Sequence, residues 1–182
     1  SIATENRSSR VVSLVVADQK VEAGQAVEVA ITGLNFNEVF GYQFTSNLNG
    51  LTLSGVRSGA IEMTDANLGL PSTDVMTASF AADKMVSVNA GEVLFTLEFV
   101  ATTSGNLSEM MNINSNVTKA ESYTGTGMEV SGIELTFRTE EPTATAVYAL
   151  NQNEPNPFKD VTAVTCEMAE AGQATFTLYD VT

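Results

Sequence analysis

A period of two residues runs through most of this 182-residue sequence and limits what it can fold into. Apolar side chains alternate with polar ones, as in Val27, Val29 and Ile31, which share a face against Glu28 and Thr32. Because successive side chains of a strand point to opposite faces, this pattern predicts half-buried strands. Glycine-containing turn sequences separate the strands, and the one helical candidate, 107–111, is too short to be stable by itself. We therefore predict an all-β chain built as a β-sandwich.

The same alternation predicts which side chains form the core. Val93, Phe95, Leu97 and Phe99 fall on one face of their strand, and Glu98 falls on the other. A later strand repeats the pattern, with Ile133 and Leu135 on one face and Glu134 on the other. We expect Glu98 and Glu134 to be exposed, and we expect a buried core that includes Tyr42, Phe44, Phe80, Phe95, Leu97, Phe99, Ile133 and Leu135.

Several strings between residues 10 and 138 resemble those of cohesin modules. The turn at Gly24 precedes alternating valines, as at the entry to the second cohesin strand. Gly41-Tyr42-Gln43-Phe44 and Gly91-Glu92-Val93-Leu94-Phe95 resemble two further cohesin strands and occur in the same order. Residues 119–123, followed by 133–137, resemble the closing hairpin. The resemblance implies a cohesin-like jelly-roll sandwich, a fold known for binding dockerins.

The composition changes on both sides of this region. Residues 1–9 are polar and are predicted to be an N-terminal tail or linker, which places the cohesin-like sandwich at 10–138. Residues 139–147 contain Pro142 and few bulky apolar side chains, so we interpret them as a linker.

A second resemblance begins after this linker. Tyr148 and the residues up to Phe158 resemble the opening of the C-terminal sorting domain of the type IX secretion system of Bacteroidetes. Pro155 and Pro157 keep the residues before them out of the helical region, so the segment is predicted to be extended. Strand-like segments follow at 161–168 and 174–179, although Lys159 stands where the family usually has asparagine or a small polar residue. The positions that match the sorting motif are Leu150, Gln152, Asn153, Pro155, Asn156, Pro157 and Phe158.

This second resemblance implies an export route. Residues 148–182 are expected to form a small β-domain that the type IX translocon and the surface-attachment machinery recognise, which places the protein outside the cell or on the exterior of the outer membrane. The family continues beyond the strand that ends near Tyr179, so we expect a truncated small sandwich. The unpaired edge of the 174–179 strand then predicts self-association by strand addition. Cys166, the one cysteine, is expected to face inward.

The balance of charges limits the partners. The chain has 22 acidic and 8 basic side chains, for a net charge of -14. Nucleic acid and anionic membrane surfaces would repel such a chain, so we expect neither as a partner. No apolar run approaches the roughly 20 residues of a transmembrane helix.

The side chains also limit the chemistry. There is no histidine, which removes Ser-His-Asp arrangements and histidine zinc sites. We predict that the chain is not an enzyme, with no catalytic residue and no cofactor. Asp65, Asn67 and Asp74 are the candidate ligands for a structural calcium ion, but we favour their interpretation as ordinary turn residues.

The leading prediction is a non-catalytic secreted or cell-surface module, the C-terminal part of a larger adhesin-like or structural protein exported by the type IX system. The alternative is a carbohydrate- or dockerin-type partner-binding module next to an upstream secreted enzyme. A sugar platform requires exposed rings, usually including tryptophan, which the chain lacks. Tyr123 is the aromatic residue least typical of a core position, and no other binding residue is predicted.

Overall fold

The computed structural model describes residues 7–139 and, as backbone, two short segments at 149–150 and 166–167. The chain divides into two units, Ser1–Glu140 and Glu141–Thr182. In the second unit, the strands β13 (Ala149–Leu150) and β14 (Cys166–Glu167) pair in antiparallel fashion. The other residues of the predicted sorting motif, and the side chain of Cys166, lie outside the described part of the chain.

The described part of the first unit consists mainly of strands. One helical turn, α1 (Leu107–Met110), and a 3-10 turn at Asp65–Asn67 interrupt them. The strands are β1 (Arg7–Asp18), β2 (Lys20–Val21), β3 (Ala26–Leu34), β4 (Val39–Leu48), β5 (Leu51–Ser58), β6 (Leu68–Ser72), β7 (Val75–Val86), β8 (Val93–Ala101), β9 (Gly105–Asn106), β10 (Met111–Asn114), β11 (Glu121–Thr124) and β12 (Glu129–Thr139).

The main sheet runs in the order β5-β8-β3-β1-β12-β11-β4-β7-β6, and β10 pairs with β4 beside β11. Only the β1–β12 pair in this sheet is parallel. The sheet curls into two facing layers, the first from β5 to β12 and the second from β11 to β6. Ile31 and Phe95 of the first layer meet Phe44 and Met76 of the second around a cavity of only about 10 Å³. The predicted all-β jelly-roll fold is confirmed.

The alternation in sequence becomes the two faces of these strands. Along β3, Val27, Val29 and Ile31 are 4%, 1% and 2% exposed. Aromatic rings fill the core from the second layer: Tyr42 stacks on Phe44 at 5.9 Å between ring centroids and lies 5.4 Å from Phe80. These three rings, Phe95, Leu97, Phe99 and Ile133 are buried, as predicted.

The prediction for Val93 is wrong, because β8 does not alternate without interruption. Ile31 pairs with Phe95 while the next residue, Thr32, pairs with Val93, so β8 contains a bulge. The extra residue, Leu94, turns inward and is fully buried, whereas Val93 is 37% exposed. A bulge places two residues of one strand opposite a single residue of its partner. The positions whose side chains face the core therefore shift by one residue at the bulge.

Two further predictions need correction. Leu135 is half-buried because the side of β12 that carries it lies beside an open groove. Glu98 is half-buried rather than exposed, since its side chain lies along the sheet in an ion pair with Arg57. Glu134 is exposed, as predicted.

The turn at Gly50 is a position where the structure requires glycine. Gly50 has a φ of +76°, and a Cβ atom at this position would lie 1.9 Å from the Thr103 hydroxyl oxygen. Its carbonyl accepts a 2.8 Å hydrogen bond from the Thr102 amide. The β4–β5 hairpin therefore requires a residue without a side chain here.

Candidate partner-binding face

The two layers present outward faces of different charge. On the first layer, Arg57 pairs with Glu28 and, at 2.7 Å, with Glu98. Glu28, and then Glu98, raise the pKa of the Arg57 guanidinium. Glu134 of β12 accepts a 2.6 Å hydrogen bond from the Ser13 hydroxyl. This face therefore carries charged side chains that are largely paired with one another.

The outward face of the second layer is almost free of charge, and we call it the neutral face. Cross-strand pairing puts Ala81, Gly41 and Tyr123 in one row and Ser79, Gln43 and Glu121 in the next. The end of β7 carries the exposed charged residues Asp83 and Lys84. The outward positions in the rows that pair with β4, from Val75 to Ala81 of β7, are Gly41, Gln43, Thr45, Asn47, Val75, Thr77, Ser79, Ala81, Asn112, Asn114, Glu121 and Tyr123. In a chain with a net charge of -14, such a surface stands out.

Glu121 is the one carboxylate among these positions, and it is held inside the face. The residue is 9% exposed. Its Oε1 atom accepts hydrogen bonds from the Tyr123 hydroxyl at 2.7 Å and from Gln43 Nε2 at 3.2 Å. Its Oε2 atom lies 2.9 Å from Lys119 Nζ. Because this charge is paired and enclosed, the neutral face presents no open carboxylate there.

A loop between β10 and β11 forms a ridge on this face. Both strands pair with the same edge of β4, and the residues between them fold over Thr45, which is fully buried. The Thr45 hydroxyl accepts hydrogen bonds from the amides of Val117 and Thr118 at 3.1 and 2.8 Å and donates one to the Thr118 carbonyl. The Val117 side chain at the tip is 59% exposed. One residue of the sheet thus holds an apolar side chain above the neutral face.

A shallow groove lies at one end of the neutral face. It has a volume of about 280 Å³, and its lining includes Phe40, Tyr123 and Met128 around Gly41. Phe40 and Tyr123 are half-buried, and Met128 is 56% exposed. These are the aromatic and thioether side chains that protein interfaces favour.

The backbone beside this groove is strained. Glu38 and Met128 have φ values of 50° and 48°, in the left-handed region that side chains other than glycine rarely adopt. Glu38 is tied in place on both sides: its amide donates to the Ser87 hydroxyl, and its carbonyl accepts from the Gly125 amide, both at 2.9 Å. Strain of this kind persists where the surroundings enforce it, and it is concentrated at functional sites.

The calcium candidates occupy separate turns. Asp65 and Asn67 lie in the 3-10 turn before β6, while Asp74 lies in the hairpin after it. Asn67 Oδ1 accepts from the Thr64 amide at 2.9 Å, and the Ser72 hydroxyl, 2.6 Å away, lowers the pKa of the Asp74 carboxyl. All three side chains thus belong to turns that bracket one strand. Within residues 7–139 there is no group of three or more acidic or cysteine side chains that could hold a metal ion.

Most residues of this surface are not predictable from the sequence alone. Tyr123 was singled out, but Phe40, Val117 and Met128 were not, and the pairing of Glu121 depends on contacts across strands. One signal was present in the sequence: the polar positions of 75–81 are a threonine and a serine, whereas the outward positions of β3 and β8 include Glu28 and Glu98. In the described part of the chain, no helix is long and apolar enough to cross a membrane.

Comparisons with solved structures identify the fold. The sixth cohesin of scaffoldin B from Acetivibrio cellulolyticus, crystallised with a mutant Cel5 dockerin, is 13% identical over 72% of this chain and 100% of that chain, with a TM-score of 0.52. A type I cohesin–dockerin complex, Coh-OlpA-Doc918 from Clostridium thermocellum, gives 9% identity, coverage of 70% and 100%, and a TM-score of 0.48. A type II cohesin from the Acetivibrio cellulolyticus cellulosome gives 15% identity, coverage of 70% and 92%, and a TM-score of 0.47.

The sequence itself matches no protein-family model and no curated protein. At 13% identity, the likeness to the scaffoldin B cohesin concerns the fold and not the ligand. The chain therefore has an all-β, cohesin-like jelly-roll fold.

Proposed function

We propose that this chain is a non-catalytic protein-binding module of a secreted or cell-surface protein and that it binds its partner through the neutral face. The observation that carries the proposal is the difference in charge between the two outward faces. Charged side chains are depleted from the centres of protein interfaces because their desolvation is costly. In a chain as acidic as this one, the neutral face is the surface that a partner can cover at the lowest electrostatic cost.

The shape of the face supports the same function. Val117 projects from a loop that Thr45 fixes by three hydrogen bonds, so little conformational freedom is lost when a partner covers it. The groove beside Tyr123 offers a recess for a side chain of the partner. A projecting apolar residue next to an aromatic-lined recess is the arrangement found at interface hot spots.

The larger protein, in this proposal, is an adhesin-like or structural surface protein. The alternative is a carbohydrate- or dockerin-type partner-binding module attached to a secreted enzyme. The scaffoldin B cohesin was crystallised with a dockerin, which supports a protein as the ligand in either case. The absence of tryptophan from the sequence argues against a sugar platform.

A matched pair of variants tests the binding proposal. Val117→Asp puts a charge on the neutral face, and Val100→Asp puts the same charge on the outward face of the first layer, where Val100 is 39% exposed. The wild type and both variants serve as baits in extracts of the producing cells. We expect the wild type and Val100→Asp to retain the same partner proteins, and we expect Val117→Asp to lose them. Equal recovery by the two variants would contradict the proposal.

The second part of the proposal concerns export. We propose that residues 148–182 are the type IX sorting unit and that the translocon reads the segment from Leu150 to Phe158. Replacing Pro155, Pro157 and Phe158 together by alanine, in a host with this system, should leave the protein inside the cell. Lys159→Asn, which moves the sequence toward the family pattern, is the control and should be exported at least as well as the wild type. Normal export of the triple variant would refute this part alone.

A further inference from the structure

A lateral groove opens between the two layers beside β12. Its volume is about 460 Å³, and residues of β10 and β12 line most of it. β11 pairs with β12 only at residues 129–131, and the Ser122 hydroxyl donates to the Gly132 carbonyl. From Ile133 to Thr139, β12 pairs with β1 on one side, and no strand within residues 7–139 pairs with its other side. Among residues 7–139, the backbone edge of this long strand therefore has no strand partner from Ile133 onward.

The two terminal strands of the main sheet carry features that oppose strand addition. The terminal strand β6 contains Pro71, which removes a backbone donor. The opposite terminal strand, β5, has a bulge between Leu53 and Gly55 and carries the charged Arg57. The 133–137 stretch of β12 has no proline and no bulge in its pairing with β1, and the strand across the groove, β10, has no charged residue. Prolines and bulges keep edges from pairing, and residues 133–137 have neither. Their one charged side chain, Glu134, already accepts a hydrogen bond from Ser13.

The floor of the groove is apolar and only partly covered. Ile133 is buried, but Leu135 and Phe137, which continue its inward row, are half-buried, as is Ile113 across the groove. Glu134 is the one charged side chain in the lining, and it already accepts the 2.6 Å hydrogen bond from Ser13. An added strand with alternating side chains would place apolar groups on this floor while pairing with the edge of β12.

We infer that the lateral groove binds an extended segment of a partner polypeptide, added as a strand to β12. The lining determines the chemistry of that segment: apolar side chains at alternate positions, no acidic residue, and at most a lysine or arginine opposite Glu134. An acidic segment would meet both this carboxylate and the net charge of -14. This site is separate from the neutral face and goes beyond the proposed function.

Hydrogen exchange on the full chain, residues 1–182, tests the inference. The probe is a capped peptide of seven residues in which threonine alternates with valine and the central threonine is replaced by lysine. At millimolar peptide, we expect the exposed-edge amides within 133–138 to exchange about tenfold more slowly. The same peptide with an N-methyl group on every residue has no backbone donor, and its methyl groups block both of its edges, so it should give no protection.

Matched leucine variants supply the control. Leu135→Asp puts a carboxylate on the groove floor and should abolish the protection, whereas Leu34→Asp, at a position that is 38% exposed on β3, should leave it unchanged. Equal protection by both peptides, or none by either, would overturn the inference. Edge amides that are already protected in the free chain would also overturn it. If the peptide-free chain already shows this protection, its dependence on protein concentration identifies the occupant of the edge. Protection that does not depend on protein concentration would assign the edge to the chain's own residues. Protection that rises with protein concentration would assign it to a second copy of the chain.

Discussion

Single side chains in the core account for most of what the sequence predicted at the residue level. Phe44, Phe95 and Phe99 lie where alternation placed them, because burial of a large apolar side chain dominates the choice of strand face. Val93 was misplaced because a bulge depends on how two strands align, and one strand's own sequence does not encode that alignment. Glu121 is buried for a similar reason, since its three partners come from two strands and a loop.

Phe95 provides the test of the core. It is 1% exposed, so Phe95→Ala should lower the free energy of unfolding by about 3–5 kcal/mol, from lost burial and the cavity left behind. Val93→Ala, two residues away but 37% exposed, should cost less than about 1 kcal/mol. Urea unfolding of both variants measures the difference. Similar losses would show that the bulge in β8 is misplaced.

Tyr42 predicts a pH dependence at the alkaline end. Burial raises the pKa of its phenol. The hydroxyl donates a hydrogen bond to the Met63 sulfur, 3.6 Å away. In the unfolded chain, a tyrosine ionises near about pH 10, while the folded phenol stays neutral. The stability is therefore complete below the unfolded pKa and falls as the pH rises above it. Unfolding of the wild type and Tyr42→Phe from pH 8 to 11 should show a smaller alkaline loss in the variant. Parallel curves would mean that Tyr42 is not the group responsible.

Among the elements, the long strands were predictable and the arrangement around β4 was not. The alternation in β3 and the glycine turn at Gly50 follow from local rules that the sequence states directly. By contrast, β10 and β11 occupy the same edge of β4, and this arrangement creates the loop that carries Val117. Leu135 was predicted to be buried because alternation identifies the inward face of a strand but not whether another element covers it.

Thr45 links β4 to this loop and allows a test of how the ridge is held. Thr45→Val keeps the size of the side chain but removes the acceptor of the Val117 and Thr118 amides, so the stability should fall by about 1–3 kcal/mol. Hydrogen exchange at those two amides should accelerate. Thr96→Val, on β8 of the first layer, is the control and should leave both amides as they are. Unchanged exchange in Thr45→Val would show that the ridge does not depend on Thr45.

On the scale of the whole molecule, the acidic composition and the neutral face have to be considered together. The net charge of -14 favours solubility and repels polyanions, but it also repels most acidic protein surfaces. Because the rows around β4 carry only the enclosed carboxylate of Glu121, this side of the sandwich is open to a partner. The overall charge was evident from the sequence, whereas its distribution required the strand order to be known.

Site-specific photocrosslinking tests the central claim, that the neutral face is the partner-binding surface. A benzophenone amino acid replaces Val117 in one variant and Val100 in the other, and both variants are irradiated in the cells that produce the protein. We predict a defined covalent adduct with a second protein from position 117 and none from position 100, because only the first side chain stands on the neutral face. Adducts in equal yield from both positions, or from position 100 alone, would contradict the account.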